Sequence, residues 1–184
     1  MNRLTNKEIT IFCSSSNEID EIYFSKAEET VLALTEKGYG IRYGGGDKGL
    51  MGTVANTALK QGAKIIGIIP HFMIEREWEH KGISNMIRVE TMHERKALLI
   101  KDTNAVLALP GGIGTLEELC EAVAMKKLGL FPHPIIILNT NGFYDAFIEL
   151  LTRMVKENFM ETSLDNLLEI AVTPSEVINI IEKG

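Results

Sequence analysis

The chain has only two cysteines in 184 residues, Cys13 and Cys120, and no C-x-x-C pair. That removes a disulfide framework, and with both cysteines in segments that read as buried it points to a reducing cytoplasm. No apolar run approaches the roughly 18 residues needed to cross a bilayer. The charged start M-N-R-L-T-N-K-E also lacks the apolar core of a secretory signal. A soluble protein with no membrane partner is expected. Basic residues are in deficit too, 19 Lys and Arg against 25 Asp and Glu, for a formal net charge of -6. Phosphate-backbone affinity comes from a surplus of cations, so a general nucleic-acid binder is excluded, although a local anion site is not. His93 shares no metal-ligand spacing with His71, His80 or His133, and no metal site is expected. Ser14, Ser15 and Ser16 follow a strand without a G-x-S-x-G elbow, so no serine nucleophile is assigned. Repeats, low-complexity tracts and linkers are missing as well.

What is present is a 45% hydrophobic chain long enough to bury a proper core. Its length predicts a single domain over residues 1–184. Short β-rich runs alternate with helical windows along it. Strands are predicted at 8–13, 40–43, 64–69, 86–90, 104–109 and 134–139, with a weaker edge at 168–172. Helices are predicted at 20–37, 50–61, 92–101, 115–128, 143–157 and 174–183, the last opening on Thr173 and Pro174. Several strands are nearly continuous apolar runs, as expected when helices cover both faces. The order therefore predicts an α/β protein with a doubly wound parallel sheet in three α/β/α layers. In such sheets ligands bind beyond the carboxyl ends of the strands, near the topological switch point.

The unusual residues sit in those post-strand loops. G-G-G-D-K-G-L-M-G, Gly44 to Gly52, contains G-x-G-x-x-G, but the next strand ends in Pro70 and His71 instead of the acid that binds ribose hydroxyls. No Gly-Lys-Ser/Thr follows either, which rules out a Walker loop. What survives is a glycine turn feeding a helix of small residues, which lets backbone amides approach an anion or another strand. Tight packing alone explains the loop equally well.

P-G-G-I-G-T-L-E-E, Pro110 to Glu118, is more specific. Its glycines free the backbone to turn, and Thr115 reads as the N-cap of the following helix, whose free amides suit a phosphate monoester. Thr115-x-x-Glu118 also fits a capping box, slightly the better local reading. In T-M-H-E-R-K, Thr91-x-x-Glu94 is a second capping box. Arg95 lies along the stripe Met92, Leu98, Leu99, where an Arg usually snorkels or meets a carboxylate. Lys96 faces elsewhere and reads as a solvated charge.

Taken together, G-G-G-D-K-G-L-M-G, M-H-E-R-K and P-G-G-I-G-T-L-E-E, in this order and spacing, resemble the Lonely Guy (LOG) family of cytokinin riboside 5'-monophosphate phosphoribohydrolases. Members of that family were often mislabelled lysine decarboxylases. The resemblance runs from about Ile9 to about Glu157 and takes in C-S-S-S, E-W-E-H at 77–80 and F-Y-D near 143. It implies a Rossmann-like fold and a homodimer. It also implies hydrolysis of the N-glycosidic bond of an adenosine-type 5'-monophosphate to free base and ribose 5-phosphate, with no cofactor. By motif position it makes Arg95 and Glu118 the catalytic pair and puts Gly112 to Thr115 around the phosphate. Glu77, Lys96, Gly45, Gly46, Gly111, Ile113, Leu116 and Glu117 complete the substrate contacts it implies. Apolar residues Leu116, Leu119, Val123 and Met125 are expected either at the two-fold interface or in the core. Two departures stand out. Ala124-Met125 replaces a common Thr-Trp, bearing on the base pocket, and C-S-S-S replaces C-G-S-S. A non-catalytic nucleotide or molybdenum-cofactor carrier on the same fold is the main alternative. A pyridoxal phosphate decarboxylase ranks far below, since no supporting Schiff-base pattern is visible.

Overall fold

A computed structural model describes residues 7–76 and 78–184. The strands are β1 (Glu8–Phe12), β2 (Gly40–Tyr43), β3 (Ile65–Pro70), β4 (Met86–Val89), β5 (Ala105–Ala108), β6 (Ile135–Leu138) and β7 (Glu169–Ala171). The helices are α1 (Glu21–Glu36), α2 (Gly49–Lys60), the single turn α3 (His71–Ile74), α4 (Met92–Ile100), α5 (Ile113–Lys127), α6 (Asp145–Lys156) and α7 (Pro174–Lys183). All seven strands pair in parallel in the order β4-β3-β2-β1-β5-β6-β7. The chain therefore reverses direction across the sheet between β1 and β5, where Ile9 pairs with both Ile41 and Ala105.

Side chains alternate across a strand, so the apolar runs divide between two cores. On one face Ile9, Ile11, Ile41, Leu107 and Ile136 pack against Ala27, Val31 and Leu34 of α1, Leu50 and Val54 of α2, and Val177 and Ile181 of α7. On the other face Phe12, Ile68, Val106, Ala108 and Ile137 meet Leu99 of α4, Leu119 and Val123 of α5, and Leu151 of α6. This is the predicted three-layer Rossmann-like arrangement. Among the described residues, no helix is long and apolar enough to cross a membrane.

Two sequence expectations are corrected. Cys13 is buried, but Cys120 is exposed, because it falls on the solvent face of α5. α5 begins at Ile113 instead of near Thr115, and α3 was not anticipated. Of the two places expected for the apolar residues of α5, Leu119 and Val123 take the monomer core and Leu116 and Met125 pack partly against it.

Candidate active site

The site grows from the two strand ends at the reversal. Ser14, just past β1, donates its N–H to the carbonyl of Pro110, just past β5, at 3.2 Å. The buried hydroxyl of Tyr144 donates to Leu109 O at 2.7 Å, which fixes the end of β5 from behind. The chain then turns so tightly that a Cβ on Gly111 would lie 2.1 Å from Thr115 Oγ1. Gly112 is the N-cap of α5, with no side-chain cap, and the first intrahelical bond runs from Leu116 N–H to Gly112 O at 3.1 Å. The expected N-cap at Thr115, and its capping box with Glu118, are therefore not formed. Thr115 is the third residue of the helix, buried against the glycine turn. The amides of Ile113, Gly114 and Thr115 precede the first intrahelical bond, at the positive end of the helix dipole. They open on a cavity of about 430 Å³ bounded by Cys13 to Ser16, Gly112 to Thr115, Glu117, Glu118 and Arg95.

Released from capping, Glu118 turns inward, 8% exposed, and receives a hydrogen bond from Arg95 Nη1. The capping box predicted for Thr91 and Glu94 does form, and it starts α4 so that Arg95 faces the sheet. Arg95, 4% exposed, also donates through Nε to Ile68 O at 3.1 Å and through Nη2 to Gly44 O at 3.4 Å. One guanidinium thus ties β3, the first glycine loop and α5 together, in the planar fork that favours Arg over Lys. Burial pushes the Glu118 carboxyl above its usual value, and the adjoining Arg95 only partly offsets this. Burial, with Glu118 nearby, likewise holds the Cys13 thiol far above its ordinary range, so that it stays protonated.

The first glycine loop does a different job from the second. At the start of α2, the Gly49 amide donates to Asn17 Oδ1 at 2.7 Å and the Met51 amide to Ser14 O at 3.2 Å. The amides of Gly49 and Met51 therefore serve the loop that follows β1, whose close approach this turn permits. Gly49 has φ +57°, and a Cβ there would sit 2.4 Å from Ser16 O. Ahead of it, residues 78–80 lace onto the loop. Asp47 N–H donates to Trp78 O at 3.2 Å, His80 N–H donates to Gly45 O at 2.9 Å, and Gly46 bridges to Glu79. A second, mostly apolar cavity of about 290 Å³ lies here, walled by Gly44, Gly46, Ile69 and Trp78. Ser15, Met51, Met73 and Arg95 line both cavities and form the neck between them.

The residues implied by the resemblance divide accordingly. Arg95, Glu118, Gly112, Ile113, Gly114, Thr115 and Glu117 meet in the first cavity, and Gly46 lines the second. Gly45 (φ +81°) and Gly111 shape the turns without lining either, and Leu116 packs toward the core. Lys96 is neither solvated nor in a cavity wall with the amides. It crosses from α4 to bond Glu117, and it lies 2.9 Å from Glu121. Glu77 lies outside the described residues. Ala124 and Met125 line neither cavity, so the departure at those positions falls away from the neck. The contributions of Met51, Met73, Asn17 and Tyr144 went unrecognised from the residues. Only F-Y-D hinted at Tyr144.

The reversal point, the amide-lined cavity and the buried Arg–Glu pair define a Rossmann-like α/β protein equipped for an anionic ligand. The family described as "Possible lysine decarboxylase" matches residues 51–181. The cytokinin riboside 5'-monophosphate phosphoribohydrolase LOG of Oryza sativa subsp. japonica is 35% identical over 177 residues, 96% of this chain and 73% of the relative. The enzyme LOG2 of Arabidopsis thaliana, with the same activity in its name, is 33% identical over 96% of this chain and 83% of its own. The chain belongs to the LOG family. Among solved structures, TM1055 superposes with TM-score 0.74 at 22% identity, covering 97% of this chain and 99% of that one. The molybdenum cofactor carrier protein of Chlamydomonas reinhardtii gives 0.73 at 17%, covering 97% of each. Both show the shared fold.

Proposed function

We propose that this protein is a single-domain enzyme that hydrolyses the N-glycosidic bond of adenosine-type nucleoside 5'-monophosphates, AMP or its N6-prenylated form, to free base and ribose 5-phosphate. The observation that carries the reading is Glu118, a buried carboxylate held by Arg95 and set one helical turn from the free amides of α5. The phosphate sits on the amides of Ile113 to Thr115, with the Thr115 hydroxyl beside them. The ribose then lies at the neck, under Glu118, and the base fills the apolar cavity beside Trp78, Met51 and Met73. Cleavage breaks the C1′–N9 bond with its electron pair leaving on the base, so positive charge develops on the sugar. A fixed carboxylate stabilises that oxocarbenium-like state and accepts a proton from the water whose oxygen adds to C1′. The base takes up one proton as it leaves, so water is added overall. Arg95 spends three donors on protein acceptors and acts mainly by holding Glu118 and the Gly44 turn in register. No cofactor is needed.

Incubation with AMP and with isopentenyl-adenosine monophosphate, followed by identification of released base, tests the reading. Base release from either supports it. Adenosine is the control, because the remote phosphate supplies binding energy that orients the sugar. Equal kcat/KM for adenosine and AMP overturns the phosphate site. Wild-type protein that binds AMP but releases no base favours the carrier function. We also propose a cytoplasmic homodimer, consistent with two free cysteines and with Leu128 and Leu130, 71% and 65% exposed beside the end of α5. Sedimentation yielding only a 20.4 kDa species at micromolar concentration rejects the dimer.

A further inference from the structure

Glu117 presents a difficulty for an anion site. It lines the cavity with the α5 amides, and its carboxylate is 51% exposed, only three residues beyond Gly114. A carboxylate in the first turns of a helix is attracted to the same positive end that would hold a phosphate. Folded back toward the Gly114 amide it would occupy the nest, and left in place it would repel a dianion. Lys96 counters both tendencies. Its side chain is 14% exposed, and the ammonium bonds Glu117 on the α4 side and also lies 2.9 Å from Glu121, one turn further along. The two carboxylates raise the Lys96 pKa, so its charge is permanent across the working range. Lys96 itself is not in the wall of the amide-lined cavity.

We infer that Lys96 is a positioning residue that readies the phosphate site by neutralising Glu117 and drawing it away from the α5 amides, without touching the substrate. This rests on the proposed function for the identity of the ligand. It departs from the direct substrate contact that the motif implies for this lysine. A direct contact and a charge guard respond oppositely to a second substitution. If Lys96 bonds the phosphate, Lys96→Gln weakens binding just as much in the Glu117→Gln background, even though losing the carboxylate relieves repulsion in both. If it restrains Glu117, deleting Glu117 makes the lysine dispensable.

The test is calorimetric binding of ribose 5-phosphate, which needs no turnover, to the wild type and to Lys96→Gln, Glu117→Gln, Glu121→Gln and the two double variants. An uncompensated charge within several ångströms of a phosphate in partly aqueous surroundings weakens binding by about 3- to 10-fold. Lys96→Gln is expected to raise Kd by that factor, and less at 0.5 M salt, where the screening length shortens. Lys96→Gln/Glu117→Gln should return to within about two-fold of wild type, whereas Lys96→Gln/Glu121→Gln should recover less, because Glu121 is outside the cavity. With AMP the same variants should move KM and leave kcat within about two-fold, as uniform binding effects do. A Lys96→Gln defect that is just as large in the Glu117→Gln background overturns the inference and leaves the direct contact. Unchanged binding in Lys96→Gln overturns both. Wild type that binds ribose 5-phosphate but releases no base refutes the hydrolase alone, whereas wild type that does not bind it refutes the phosphate site and the inference together.

Discussion

Replacing Glu118 by Gln changes one atom in the most buried part of the site, and the structure predicts opposite effects on rate and stability. On rate, Gln keeps the shape and an acceptor oxygen for Arg95 but removes the negative charge that the proposed mechanism sets against the sugar. A general-base and electrostatic contribution of roughly 100- to 10,000-fold should vanish from kcat/KM on AMP. On stability, the carboxyl's folded-state pKa lies above its unfolded value, because burial outweighs the help from Arg95. Such a group stabilises the fold fully below its unfolded pKa and loses that contribution as pH rises through the folded value. The wild type therefore carries a disfavoured charge at neutral pH that the amide does not. Glu118→Gln should melt no lower than wild type at pH 7 to 8, within about 1 kcal/mol, which for this length is roughly 2–4 °C. Its relative standing should worsen toward pH 4 as the wild-type carboxyl protonates. Removing the other partner is not symmetric. Arg95→Ala strands a buried carboxylate and two backbone carbonyls, costing about 3–5 kcal/mol, and loses activity as well. Because the proposed mechanism has both residues serve one transition state, the double variant should be little slower than the poorer single one. Thermal melts and kcat/KM for the four proteins decide the matter. Near-wild-type turnover in Glu118→Gln, or a fall in its melting temperature matching a loss above about 3 kcal/mol, would refute the reasoning.

The acid limb of the wild-type kcat/KM profile should fall above the ordinary glutamate range of about 4.3, since the proposed mechanism requires ionised Glu118 and burial raises its pKa. Arg95→Lys, which weakens the fork, should move that limb to higher pH, and an unmoved limb would assign the titration elsewhere. Gly111→Ala should displace Thr115, whose hydroxyl would lie 2.1 Å from the new Cβ, and raise KM for AMP more than it lowers the melting point. Gly49→Ala combines φ +57° with a 2.4 Å approach to Ser16 O, so loss of at least about 1–3 kcal/mol in denaturant melts is expected.

How much of this was readable from the residues depended on whether the signal was local. The strands came within one or two positions because nearly unbroken apolar runs leave little freedom of register. Thr91–Glu94 was readable because both halves of a capping box lie within four residues. Thr115–Glu118 matches the same pattern and failed. The glycines let the chain close into a helix two residues earlier, and Thr115 was buried beneath Gly111. That failure freed Glu118 for Arg95, a partner 23 positions away that no local rule identifies. From its apolar stripe alone Arg95 could be said only to snorkel or meet a carboxylate, and the LOG resemblance supplied which one. Lys96 was misread as solvated because its two acceptors belong to a helix whose distance from α4 is set by the core beneath. Cys120 was misplaced because α5 mixes small and apolar residues around its circumference.

The strap at residues 78–80 is joined to the first glycine loop entirely through main-chain atoms, at Asp47, Gly45 and Gly46. Such a joint is indifferent to which side chain each position carries. Trp78 can therefore be exchanged, by selection or by an engineer, to enlarge, shrink or polarise the wall of the cavity proposed for the base while the loop and the Arg95 anchor on Gly44 stay where they are. If the base lies where proposed, its preference and the catalytic geometry rest on separate parts of the scaffold, the one on the side chain of Trp78 and the other on the Arg95–Glu118 pair.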